Sequence, residues 1–353
     1  MLQLETTNRK AFDYYDSAIR KIDGYNKTLD TVLLDAAAND LDLSIRADGN
    51  FFRAANYKGI VFDLMGMATE AIRQFDTIVQ NTPDIFKGEV WYNKAIANYH
   101  LYHEPNLEAA IGLLNDVIAK YPRNRRLTVL AEASLAQCYG MMVLHAVNMG
   151  DMVQVGQLRD DVLQRADKTL VEVGKLENRR ELGEDLVKEV SWIAYNAKGI
   201  ALMFQDDNAR DSMQPGKSDV YRENLEQALN MFRKGQEFAP DHWALACNVA
   251  SAEMRMGYWS IRNNDAAKAA DCFTSAITGL QKVIDVLKPG YDFAYYEIGR
   301  VYRLWSKFNE ASTFLNKAKS ISGYNKSVGN KTIDMQLEKA DRRDATWAYT
   351  AHS

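Results

Sequence analysis

Proline is scarce in this chain, with six in 353 residues, and glycine is modest at twenty. Both disfavour a helix interior, proline by about 3 kcal/mol and glycine by about 1 kcal/mol relative to alanine. Their scarcity, beside abundant Ala, Leu, Lys, Glu and Asp, points to an all-α chain with very few strands. Cysteine is scarcer still. Cys138, Cys247 and Cys272 stand far apart and form no C-x-x-C, which excludes a disulfide framework or a zinc ribbon and fits a reducing compartment. No uninterrupted apolar run approaches the ~18 residues of a membrane helix, and the opening "MLQLETTNRK" lacks a signal-peptide core. A cytoplasmic location without a membrane partner is therefore expected. Neither charge dominates: 43 Lys and Arg stand against 47 Asp and Glu, a net of -4. That balance gives no overall pull toward nucleic acid or anionic lipid. Basic clusters such as Pro122 to Arg126 and Arg342-Arg343 read as solvated helix ends.

Recognisable catalytic patterns are missing too. There is no G-x-S-x-G and no H-E-x-x-H, and none of the three cysteines has a histidine nearby in sequence. His100 and His103 lie three apart beside Glu104, but two ligands without a third do not make a metal site. "DLDLSIRADGN" has an acidic flavour without the alternating spacing of a calcium loop. "DSMQPGKS", Asp211 to Ser218, matches the end of a phosphate-binding loop at Gly216, Lys217 and Ser218. Asp211 replaces its first glycine, and a helical stretch, "SWIAYNAKGIALMF", precedes it where a strand is required. No enzyme, metal site or cofactor is expected.

What the sequence does contain is a period. Ala71, Phe75, Ile78 and Pro83 recur as Ala110, Leu114, Val117 and Pro122, and again as Ala228, Phe232, Gly235 and Pro240. Steps of four and three share one helical face, and the proline follows about a turn later to stop the helix. Ala166, Leu170, Val173; Ala269, Phe273, Ala276; and Ala311, Leu315, Ala318 keep the step without the proline. A partner helix precedes each: Gly59 is twelve before Ala71, and Gly299 twelve before Ala311. Glycine in mid-helix calls for a packing reason, and close approach of two backbones supplies one. Ala95, Ala136, Gly199 and Ala250 read as the same small residue elsewhere. The pattern resembles the tetratricopeptide repeat family, most clearly over residues 52–85 and 292–325 and in outline over 52–325. The resemblance implies a right-handed α-solenoid of stacked antiparallel helix pairs.

Three parts are expected: a helical hairpin over 1–50, about six helix pairs over 51–325, and a capping helix with a tail over 326–353. In the hairpin, Phe12, Tyr15, Ile19 and Ile22 share a face; in the cap, Ile333, Leu337 and Ala340 do. Departures from the simple repeat are also legible. About five residues are inserted near "YHEPN", Lys175 to Val190 extends a connection, and helical periodicity runs past Ala276. Gly199 and Ala228 are 29 apart instead of twelve, so "QDDNARDSMQPGKSDVY" reads as an exposed, mobile loop over 205–221.

The family resemblance implies that the first helices line a concave face holding a partner peptide or helix. The residues beside the packing positions are Asn56, Tyr92, Asn93, Tyr99, Asn196, Met203, Asn248, Met254, Tyr296, Arg300 and Arg303. Asparagine can pair with both the donor and the acceptor of an extended backbone, and arginine can bind carboxylates bidentately. The two-carboxylate clamp of chaperone-tail-binding members is not expected. Asn93 fits one place in it, but Asn56, Ile60, Ala133 and Gln137 do not complete it. The expectation is a non-catalytic scaffold or adaptor with a protein or peptide partner. Self-association through terminal pairs, a helical-repeat RNA binder and a regulatory or enzymatic site on the solenoid or its inserted loop stay open as alternatives.

Overall fold

Helix follows helix along the whole described chain. The computed structural model describes residues 6–204, 217–321 and 327–347, apart from the side chains of residues 148, 176–178, 217 and 218. Among the described residues there are sixteen α-helices and no strand. Contacts divide the chain into two units, Met1–Ala131 and Glu132–Ser353, and the division falls within one helix, α7 (Arg125–Met149).

The first unit stacks three antiparallel pairs: α1 (Arg9–Thr28) with α2 (Val32–Ala47), α3 (Phe52–Leu64) with α4 (Ala68–Val79), and α5 (Asp84–Tyr99) with α6 (Glu104–Lys120). Asn8 caps α1, its side chain accepting from the Ala11 N–H at 3.2 Å. The buried stripe of α1 is Ala11, Tyr15, Ala18 and Ile22, with Phe12 and Ile19 at its edges. Alanines hold its centre because α2 presses its own Leu34, Ala37 and Leu41 into the same core. Near "YHEPN" the extra residues form no loop. They lengthen α5 relative to α3 and add a turn to α6 ahead of Ala110.

In the second unit α7 pairs with α8 (Met152–Gly174) through Ala136, Val143, Ala146, Val155, Val162 and Ala166. Arg125–Val147 is long and apolar enough to cross a membrane by length and composition, but 67% of that window is buried inside the chain, which accounts for its hydrophobicity. The expected extended connection over Lys175 to Val190 is instead a short helix, α9 (Leu176–Leu182), and the opening turns of α10 (Glu184–Met203). Gly183 separates them at φ +85°, a backbone conformation that residues with a Cβ rarely adopt. α10 packs on α11 (Lys217–Phe238), which is followed by α12 (Trp243–Arg262) with α13 (Ala266–Lys282), α14 (Asp292–Leu304) with α15 (Phe308–Ser320), and α16 (Asn330–Asp341) on α15. Helical winding does run past Ala276: α13 continues into a π-helical turn over Val283–Leu287, closed by the Lys288 N–H on the Val283 carbonyl at 2.8 Å. Residues 205–216 of the "DSMQPGKS" region lie outside the described residues. From Lys217 onward the chain is helix α11, not loop.

Within the pairs, small meets large at a fixed spacing. A Cβ added to Gly59 would lie 2.4 Å from the Phe75 ring, one on Gly257 2.7 Å from Phe273, and one on Gly299 2.6 Å from the Leu315 side chain. In each case the large residue is sixteen positions on; Gly199 meets Phe232 at 2.3 Å in the same way across the longer interval. In α12 the crossing residue is therefore Gly257 and not Ala250, which lies two turns earlier and is buried against the α13–α14 side of the core. In α8 the buried stripe is Ala166, Thr169 and Val173, with Leu170 only partly buried. Each unit is a stack of such antiparallel helix pairs.

Candidate binding face

Two hydrogen bonds tie first helices to one another in the same manner in the two units. Asn93 on α5 donates through Nδ2 to Asn56 Oδ1 on α3 at 3.2 Å. Asn248 on α12 donates through Nδ2 to Asn196 Oδ1 on α10 at 2.7 Å. In each rung the accepting asparagine is buried and stands three residues before a crossing glycine, Gly59 or Gly199, while the donor is half-buried. Met254 and Tyr296 occupy the same place before Gly257 and Gly299 and are fully buried. This position forms the floor of the first-helix face. Asparagine there must find a partner, because an unpaired buried amide costs about 1–3 kcal/mol.

The other expected residues separate by burial. Tyr92 is half-buried on α5. Tyr99 is turned into the helix end, its ring centroid 5.4 Å from that of Tyr102. There burial, then the Asp63 carboxylate, push the Tyr102 hydroxyl up to about 12. His100 Nδ1 lies 2.9 Å from that same Asp63 and not in a cluster with His103, which caps α6. Met203 and Met254 belong to apolar cores. Met254, Tyr296 and Arg303 have no exposed surface, so a partner laid over them would not touch them as they stand. This corrects the expectation that they line an open face. In "YGMMVLHAVNMGDM", Met142 is buried and Met149 is exposed, so that cluster is split between core and surface.

Arg303 is enclosed because the chain returns over it. Past α16, Arg343 adopts φ +56° and reverses the backbone. The Arg303 guanidinium donates through Nη1 to the main-chain carbonyls of Asp344 at 2.6 Å and Thr346 at 2.8 Å, and through Nε to Gln336 Oε1 at 2.8 Å. Trp347 then lies with its ring 5.5 Å from that of Tyr258, and its main-chain N–H donates to the Tyr258 hydroxyl at 3.2 Å. The guanidiniums of Arg255 and Arg300 stand 4.9 and 5.1 Å from its ring centroid. Arg300 pairs with Glu297 at 2.6 Å, and Glu297 raises the Arg300 guanidinium although burial acts the other way. Burial, reinforced by Arg300, lowers Arg303 to about 10. Bonds from Lys339 and Thr346 hold the Asp344 carboxyl well below the usual range and so fix the turn.

The sequence pattern did not anticipate Arg255, Tyr258, Gln336 or Trp347. One of them had a signal: Tyr258 follows Gly257 as Arg300 follows Gly299, so the register of Gly257 exposes the equivalence that Ala250 conceals. The cysteines serve packing. Cys138 and Cys247 are buried, and burial pushes the Cys138 thiol up to about 12.

No family model and no curated protein matches the chain. Solved structures similar to it are helical repeats at low identity. A tetratricopeptide repeat protein from Parabacteroides merdae is 13% identical, with a TM-score of 0.46, over 93% of this chain and 99% of that one. The TPR2AB domain of yeast Sti1, in a complex named pHSP90, is 19% identical, with a TM-score of 0.27, over 83% of this chain and 99% of that one. Human IFIT1, as a dimer with m7Gppp-AAAA, is 13% identical, with a TM-score of 0.39, over 97% of this chain and 79% of that one.

Proposed function

We propose that the chain is a non-catalytic interaction module, a scaffold or adaptor that holds an extended segment of a protein partner along the first-helix faces of its helix pairs. The observation that carries this reading is the asparagine rung that recurs in the two units, Asn93 on Asn56 and Asn248 on Asn196. Each donor asparagine engages one N–H in the rung and retains chemical capacity for a second N–H and a carbonyl bond. That is the complement of a peptide backbone, met without regard to sequence. Half-buried Tyr92 adds apolar surface beside the first rung. The near-balanced charge of the chain favours a protein segment over a nucleic-acid strand, and the cytoplasm is the location that suits its three thiols.

Photo-crosslinking side chains placed at positions 93 and 248 test the reading in the native host. Crosslinks from either position to an extended protein segment are the expected result, with loss of that partner in the matching variant, Asn93→Arg or Asn248→Arg. Partners that stay bound to both arginine variants would show that the face is misassigned, and crosslinks to RNA instead of protein would replace the reading.

A further inference from the structure

Between the π-helical turn and α14 the sequence reads Lys288-Pro289-Gly290-Tyr291, and it fixes a tight turn. Proline holds its own φ at about −65°, Gly290 takes φ +75°, and the Tyr291 N–H donates to the Lys288 carbonyl at 3.2 Å, the pattern of a type II turn. The turn brings the Lys288 and Tyr291 side chains together against Trp243 at the start of α12. The two rings meet edge to face, with centroids 4.9 Å apart and planes at 71°. The Lys288 ammonium sits in the notch between them, 3.8 Å from the Trp243 centroid and 3.9 Å from that of Tyr291. Among the described residues it makes no hydrogen bond and no ion pair. The groups around it do little to hold its proton. Cys247 on α12 would attract it only as a thiolate, and burial, then Glu297, push that thiol up, so it stays neutral. The Asp292 carboxylate at the start of α14 also attracts it, but that carboxylate accepts from the Ser327 N–H and hydroxyl and the Val328 N–H at 2.8, 2.7 and 2.8 Å. His242, next to Trp243, is kept neutral by burial and then by the Lys288 charge itself. Ring faces attract an ammonium but do not replace the hydrogen bonds of water. Burial is the largest influence, and it lowers Lys288 from 10.5 to about 8 against the pull of Cys247 and Asp292.

We propose that Lys288, half-buried in this aromatic notch, is a site of N-acylation by small activated acyl donors, an acyl phosphate or an acyl thioester. The neutral Nζ adds to the donor's carbonyl carbon. The N–C bond forms as the C–O bond to phosphate or the C–S bond to thiolate breaks, and the proton lost by nitrogen goes to the leaving group. The product amide is uncharged, so a buried ammonium without an acceptor is replaced by a flat neutral group that suits the Trp243 and Tyr291 faces. Loss of the charge also reaches His242, whose ring then takes a proton at a higher pH.

The test incubates the full chain with acetyl phosphate and, separately, with acetyl-coenzyme A, and reads the rate at each lysine by peptide mass spectrometry from pH 6.5 to 10. At pH 7.5 Lys288 should acetylate about fivefold or more faster than Lys282 and Lys319, which are paired with Asp241 and Asp334 at the surface. Its rate should level off above a midpoint near 8, while theirs climbs to pH 10. Reaction with one donor alone supports the proposal and identifies the source. A rate at Lys288 no greater than at those two lysines with both donors, or one that climbs in parallel with theirs, would overturn it. Trp243→Ala should hydrate the amine and bring Lys288 down to the rate of Lys282 at pH 7.5; an unchanged rate in a variant shown by circular dichroism to be folded would also overturn it. Where that variant does not fold, the wild-type pH profile decides. In proton NMR, His242 should titrate about half a pH unit higher or more in Lys288→Met and in the acetylated chain than in wild type. A fixed midpoint in both would overturn the proposed effect on the ring.

Discussion

Asn196 and Asn248 show how much one polar pair contributes when it is enclosed. Asn196 is 2% exposed, and its Oδ1 receives the Asn248 N–H at 2.7 Å. Asn196→Ala leaves the Asn248 donor unmatched and should cost about 1–3 kcal/mol. Asn248→Ala should cost about as much, and the double variant should recover about 1 kcal/mol of the sum as coupling, read by urea unfolding. His242 gives a prediction in pH. Its ring lies against Trp192 with centroids 3.9 Å apart, and burial, then the Lys288 charge, lower it from 6.5 to about 4. The folded state therefore keeps the ring neutral where the unfolded state protonates it. The His242 contribution to stability should be level above pH 6.5 and fall as pH drops from 6.5 toward 4, by on the order of 2–3 kcal/mol at 1.36 kcal/mol per unit. His242→Phe should flatten that slope in melts across the same range, and an unchanged slope would assign it to other groups.

At the scale of the helix pair, glycines at crossings and glycines on open faces should respond with opposite signs. Gly257→Ala puts a methyl within 2.7 Å of the Phe273 ring, which is itself fully buried and cannot withdraw, so a loss of about 1–3 kcal/mol is expected. Gly112 in the middle of α6 has nothing within 4 Å of an added Cβ, and Gly112→Ala should stabilise by up to about 1 kcal/mol through helix propensity alone. Thermal melts of the two variants separate these cases. The same contrast explains why the α12 register is hard to read from sequence. Ala250 and Gly257 are seven apart, share a face, and are both small; the contact with Phe273 singles out Gly257.

For the whole molecule, stacked pairs contact chiefly their neighbours, so damage should stay near its source. Phe75 is fully buried between α3 and α4, and Phe75→Ala should cost about 3–5 kcal/mol. Amide exchange should rise over residues 6–131 more than over 132–347. An equal rise along the chain would mean that the two units unfold as one cooperative body.

The sequence by itself determined the helical content, the paired repeat and most of its second-helix stripes, because those follow from local spacing. Steps of four and three put Ala71, Phe75 and Ile78, or Ala311, Leu315 and Ala318, on one face wherever the helix lies, and all six are buried. It also marked Asn56, Asn93, Asn196 and Asn248 as neighbours of the crossing positions. Only the tertiary structure decided which side of the boundary between core and face each candidate falls on, since burial depends on what packs over a helix. Arg303 and Tyr296 look like face residues in α14 considered alone. Arg303 becomes interior because Arg343 reverses the chain and brings the Asp344 and Thr346 carbonyls within hydrogen-bonding reach of its guanidinium. That return joins residues about forty positions apart, a distance over which no helical period carries information.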